Sequence, residues 1–98
     1  MNPIYRNCLA EFHLCCYYLD VKADDMNGPS RNQEYVHPRQ VITYWLYQKY
    51  RNFYMLSKIL KRDRSAIRNS VRLVTENTNN WYSHELNILH VEYKDQAA

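Results

Sequence analysis

The 98 residues carry 13 Lys and Arg against 10 Asp and Glu, a net charge of +3, and give room for one domain and one modest core, since chains divide at roughly 100–200 residues per domain. That length excludes an ATPase module joined to a second domain, and most enzyme folds built around a deep cleft. No apolar run approaches the ~18–20 residues that span a bilayer. The three cysteines form no disulfide framework, and the opening Met1-Asn2-Pro3-Ile4 is not the basic-then-apolar start of a secretion signal. A reducing cytoplasm is the expected compartment.

In chain order, Asn2 followed by Pro3 is a helix start, because an Asn side chain caps free N–H groups and Pro suits the first helical position. Tyr5, Cys8, Leu9, Phe12, Cys16 and Leu19 then recur at helical spacing and predict a core-facing helix over 3–19. That stripe accounts for the cysteines and for His13. With no Cys-x-x-Cys, and with His84 and His90 six residues apart, no metal is expected. Residues 20–37 contain Asp24, Asp25, Asn27, the single glycine Gly28, Pro29 and Ser30, which is loop chemistry with room for one helical turn near 23–26.

Pro38 is read as opening a second long helix to about 50, with Ile42, Trp45, Leu46 and Tyr50 inward. A short helix over 53–60 follows, holding Leu56, Ile59 and Leu60, then a tight break at Lys61 and Arg62. Asp63 is placed to cap a helix over 63–76 whose inner face is Ile67, Val71 and Val74. Residues 77–80 are a turn, and a last amphipathic helix over 81–94 runs through Tyr82, Leu86, Leu89 and Tyr93. The predicted fold is an all-α bundle of four to five helices in a single domain.

The small net charge hides an uneven distribution. Residues 31–72 hold ten of the thirteen basic residues and only Glu34 and Asp63 as acids, a local +8 between flanks of −2 and −3. A basic segment of this kind is the footprint of a nucleic-acid surface, although a solvated helix face has the same composition. Within it, residues 56–67 have the spacing of a helix-turn-helix. Leu56, Ile59 and Leu60 pack the first helix, Ser57 is small where the helices meet, and Ile67 anchors the second. Lys61 stands where a glycine is usual, so a left-handed residue costing roughly 1 kcal/mol is expected there. Arg64, Arg68 and Arg72 repeat every four residues on the outer face, beside Ser65 and Asn69. Arginine can pair bidentately with guanine or grip phosphate. Paired short helices of this pattern also occur in ordinary bundles.

From about residue 9 to residue 76 the chain resembles the C-terminal, DNA-box-binding domain of the bacterial replication initiator DnaA. The shared order is a basic loop with Ser30 and Arg31, Arg39-Gln40 in a long helix, and then Arg62-Asp63-Arg64-Ser65-Ala66-Ile67 at the recognition helix. The resemblance implies that Arg31 enters a minor groove, that Arg39 holds a phosphate, and that Asp63, Arg64 and Ser65 face bases in the major groove. Arg64 replaces the family's histidine and Ala66 its second threonine, which implies a different target sequence. No phosphate-binding Gly-x-x-x-x-Gly-Lys loop is present, so the chain is expected to be the reader without the ATPase.

The candidate DNA-contacting residues are therefore Arg31, Arg39, Lys58, Arg62, Asp63, Arg64, Ser65, Ala66, Arg68 and Asn69, with no catalytic residue, cofactor, metal, membrane or small-molecule substrate expected. The expected partner is double-stranded DNA, and the expected role is a small regulator of transcription or replication of the kind phages and mobile elements carry. The alternative is a protein-interaction module that keeps the scaffold without binding DNA, using exposed tyrosines such as Tyr17, Tyr18, Tyr44 and Tyr47.

Overall fold

Helix starts follow the capping residues. Asn2 accepts a hydrogen bond from the Ile4 N–H at 2.8 Å, and Pro3 takes the first position of α1 (Pro3–Tyr18). The structure, a computed structural model, describes the backbone of residues 2–97 and the side chains of residues 2–93. Along α1, Cys8, Phe12, Cys15 and Cys16 are buried, so the expected stripe gains Cys15, while Tyr5, Leu9 and Leu19 are half-buried at its edge. Burial pushes all three thiols up to about 12, because the thiolate cannot be solvated there. The left-handed Asp20 (φ 55°) ends this segment, and α2 (Ala23–Met26) is the single turn allowed for, driving Met26 fully into the core.

The second long helix begins earlier than Pro38. In α3 (Gln33–Tyr50) the proline is the sixth residue and is buried. The start is fixed upstream. The Asn32 side chain accepts from the Glu34 N–H at 3.3 Å, and Ser30 Oγ accepts from the Asn32 N–H at 3.2 Å. Glu34 in the first turn also suits the helix dipole. A proline deprives only the carbonyl four residues before it of a helical donor. Here that carbonyl belongs to Glu34, an exposed residue in the first turn of the helix.

The helices α4 (Phe53–Leu60) and α5 (Arg64–Glu76) lie where the sequence predicts them. Residues 77–82 remain a turn, so Trp81 and Tyr82 precede α6 (Ser83–Ala97) instead of opening it. Six helices result among the described residues, the five expected and the one-turn α2.

The central element is α3, which packs against every other helix and most extensively against α5. Its Val41, Ile42 and Leu46 meet Phe12, Met26, Leu56, Leu60, Ile67, Val74 and Leu89 in one continuous core. The Cα radius of gyration, 12.5 Å, equals the ~13 Å of a compact domain of this length. Tyr82 docks the last turn onto α3, with its hydroxyl donating to Gln40 Oε1 at 2.7 Å and its ring stacked on His37 at 4.8 Å. His37 Nε2 also lies 2.8 Å from a Glu85 carboxylate oxygen. No helix among the described residues is long and apolar enough to cross a membrane.

Candidate nucleic-acid interface

The helix-turn-helix is built by local chemistry. Asn52 caps α4 by accepting from the Met55 N–H at 3.0 Å, and Met55, Leu56, Ile59 and Leu60 fill the space beneath. Lys61 adopts the expected left-handed conformation (φ 53°, ψ 48°), and its N–H and that of Arg62 both donate to Ser57 O. Those bonds satisfy the carbonyl at the end of α4 and offset the cost of a side chain in that region. Ser57 is half-buried at the helix junction, with its hydroxyl bonded back to Tyr54 O.

Asp63 stands at the N-cap position of α5 in extended conformation, but its side chain makes no capping hydrogen bond. The expected cap is therefore absent; the carboxylate stays exposed at the turn. Arg64, Ser65, Ala66, Arg68, Asn69 and Arg72 are all exposed along α5, while Ile67 and Val74 point inward and Val71 is half-buried. Arg72 is occupied by Asn69 Oδ1 at 2.7 Å and Glu76 Oε2 at 3.2 Å. The Arg68 guanidinium lies over the Phe53 ring at 5.2 Å, and the Lys58 ammonium over the Tyr54 ring at 5.1 Å. Among the described residues, Arg64 and Arg31 are in no ion pair or side-chain hydrogen bond.

Arg39 corrects the reading drawn from the resemblance. It is turned inward, 7% exposed, and donates to Met26 O at 2.7 Å, Asp25 O at 2.9 Å, Ser30 O at 3.1 Å and Gly28 O at 3.4 Å. A guanidinium with its donors spent on carbonyls holds the loop, not a phosphate. Burial, and secondarily the charge of Arg62, lower its pKa. Arg62 donates to the same Gly28 carbonyl, so two arginines clamp one loop. Only glycine fits there, because a Cβ on residue 28 would sit 2.6 Å from Asp24 O.

The clamped loop carries Arg31 to the rim of a cleft shared with α5. Ser30 and Arg31 of the loop, Arg39, Gln40 and Thr43 of α3, Arg62 of the turn, and Ala66 and Asn69 of α5 line it. A second cleft at the turn is lined by Lys58, Lys61, Arg62, Asp63 and Arg64. With Arg62 lining both clefts, the Arg31 loop, the turn and the start of α5 are joined in one basic surface. Eight of the ten candidate residues line one or both clefts, the buried Arg39 among them, and Ser65 and Arg68 are exposed on α5.

The exposed aromatics differ from those expected. Tyr17 is 77% exposed, but Tyr18, Tyr44 and Tyr47 are half-buried, and Tyr54 and Trp81 are the other open rings. Two residues missed by sequence reasoning bear on the basic surface: Arg51, over the Tyr47 ring at 5.3 Å, and Phe53, beneath Arg68. Neither carries a motif. Compared with family models, curated proteins and solved structures, the chain matches none of them.

Proposed function

We propose that this chain is a sequence-specific reader of double-stranded DNA, laying α5 in the major groove and extending Arg31 into the neighbouring minor groove. The observation that carries the reading is the pairing of an exposed α5 face, on which Arg64 is in no ion pair or side-chain hydrogen bond among the described residues, with a loop arginine across one shared cleft. Phosphate contacts set register and base-edge contacts set sequence. Lys58 and Lys61, both exposed, suit the first task. Arg64, at the first turn of α5, suits the second, since its donor fork matches the O6 and N7 acceptors of guanine. In this reading the protein acts as a small cytoplasmic regulator of transcription or replication, related in design to the DNA-box reader of DnaA, and it needs no cofactor and no catalytic group.

A salt titration on a 30-base-pair duplex, followed by fluorescence anisotropy, tests the proposal. Neutralising about four to six phosphates gives a slope of log affinity against log salt of roughly −4 to −5, at about −0.9 per phosphate. Binding that is absent at low salt, or indifferent to salt, removes the reading. Trp81 (65% exposed) and Tyr17 favour a second reading, a protein-interaction module, whose signature is partner binding with no duplex affinity.

A further inference from the structure

Four side chains form a ladder across the break between α3 and α4 and onto α5. The rings of Tyr47 and Phe53 are stacked with centroids 4.4 Å apart and planes 9° from parallel. The Arg51 guanidinium lies over Tyr47 at 5.3 Å and the Arg68 guanidinium over Phe53 at 5.2 Å. Since each ring's other face is taken by its neighbour, the sequence in space is cation, ring, ring, cation. Both rings are half-buried and both arginines exposed. Arg51 is the left-handed C-cap of α3 (φ 51°, ψ 38°), and its guanidinium lies over Tyr47, four residues earlier in the chain. Beyond a 3.5 Å contact with Gln48 Oε1, the Arg51 side chain makes no polar contact among the described residues, and the Arg68 side chain makes none.

A surface arginine that contacts a ligand must first give up its rotamer freedom, an entropic cost that is large for so long a side chain. A ring under the guanidinium removes part of that cost in advance. It leaves the planar donor edge free, because the stacked face and the N–H edge are perpendicular. Two such cations held on opposite ends of one aromatic pair cannot meet the same phosphate.

We infer that Arg51 is a phosphate contact on the DNA surface and that Tyr47 and Phe53 are positioning residues which hold Arg51 and Arg68 on two separate phosphates. The inference rests on the DNA-binding reading above. It extends the surface from α5 across the α4 N-terminus to the end of α3, a segment the recognition-helix pattern leaves out. Because phosphates carry no sequence information, the ladder sets affinity alike for all duplexes.

The test compares wild type with Arg51→Gln, Phe53→Leu and Phe53→Tyr on preferred and scrambled duplexes across a salt series. Arg51→Gln should lower the slope of log affinity against log salt by about 0.9 and weaken both duplexes by roughly eightfold near 0.1 M salt. Phe53→Leu should weaken both to a similar degree, and Phe53→Tyr should restore them. In the free protein, the upfield ring-current shift of the Arg68 δ protons should vanish in Phe53→Leu and return in Phe53→Tyr. An unchanged slope in Arg51→Gln, whose side chain is exposed and outside the core, overturns the phosphate contact. A Phe53→Leu protein that only melts earlier, with its DNA affinity intact, overturns the positioning role. If wild type shows no salt-dependent binding, the DNA reading falls and the ladder's role falls with it, a result distinct from normal wild-type binding with indifferent variants.

Discussion

Replacing Arg39 with lysine distinguishes an arginine that holds a loop from one that holds a phosphate. The guanidinium bridges Met26 O at 2.7 Å, Asp25 O at 2.9 Å and Ser30 O at 3.1 Å, with Gly28 O a weaker contact at 3.4 Å. A lysine ammonium keeps the charge but is a compact point donor that reaches one or two of these carbonyls. Two or three oxygens then lose a donor. At about 1 kcal/mol for each net hydrogen bond, and more where the oxygen stays buried, the loss is about 2–4 kcal/mol. Each kcal/mol moves the Tm of a domain this size by about 4–8 °C, so the circular-dichroism melt of Arg39→Lys should fall by roughly 10–30 °C. DNA affinity, read at a temperature where the variant is folded, should fall no further than in Arg31→Ala, and adding Arg31→Ala to Arg39→Lys should cost nothing more. The released loop has already lost Arg31. A variant melting within about 2 °C of wild type, with its salt slope unchanged because the lysine still meets a phosphate, would refute the loop-clamp assignment.

Arg31→Ala alone should weaken the preferred duplex by about 1–3 kcal/mol and leave the melting temperature unchanged; an effect of a few tenths makes the loop a bystander. Lys61→Gly should raise stability by up to about 1 kcal/mol, since glycine accepts the left-handed turn freely, and an unchanged or lower urea midpoint contradicts that. Cys8, Cys15 and Cys16 ionise near 12 in the fold against 9.0 ordinarily. Their raised values favour the neutral thiols of the fold, so this stability is complete below pH 9 and is lost as pH rises from 9 toward 12. Urea midpoints should decline across that window, and prompt labelling of the folded protein by a thiol reagent at pH 8 would contradict the burial. Site selection on wild type and Arg64→His should enrich different bases at one position; identical sites at every position reduce Arg64 to a backbone contact.

The parts of this fold that are legible in the sequence are those governed by periodicity and by local caps. The helix-turn-helix is read correctly because Leu56, Ile59, Leu60 and Ile67 must share one core and because the chain has to turn at Lys61. The start of α3 is misread because Pro38 is a stronger signal to the eye than Asn32 followed by Glu34, although capping energetics favour the latter. Arg39 is misread for a different reason. Its partners are backbone carbonyls, which every residue possesses, so nothing in their identity announces a buried arginine. The upstream Gly28, where a Cβ would clash with the Asp24 carbonyl, is the one hint. The Arg51–Tyr47–Phe53–Arg68 ladder crosses a helix break and a second turn, so no single periodic stripe contains it.

The central claim is that α5 and the Arg31 loop together form the face that meets duplex DNA. Amide chemical-shift mapping by NMR, on adding a selected duplex to the isotope-labelled chain, tests this most directly. The account predicts that the largest shifts fall at residues 30–32 and 58–69 and at Arg51, with α1 and the turn carrying Trp81 unperturbed. Shifts centred on Trp81, His84 and Glu85 with the α5 face silent, or no shifts under saturating duplex at low salt, would contradict it.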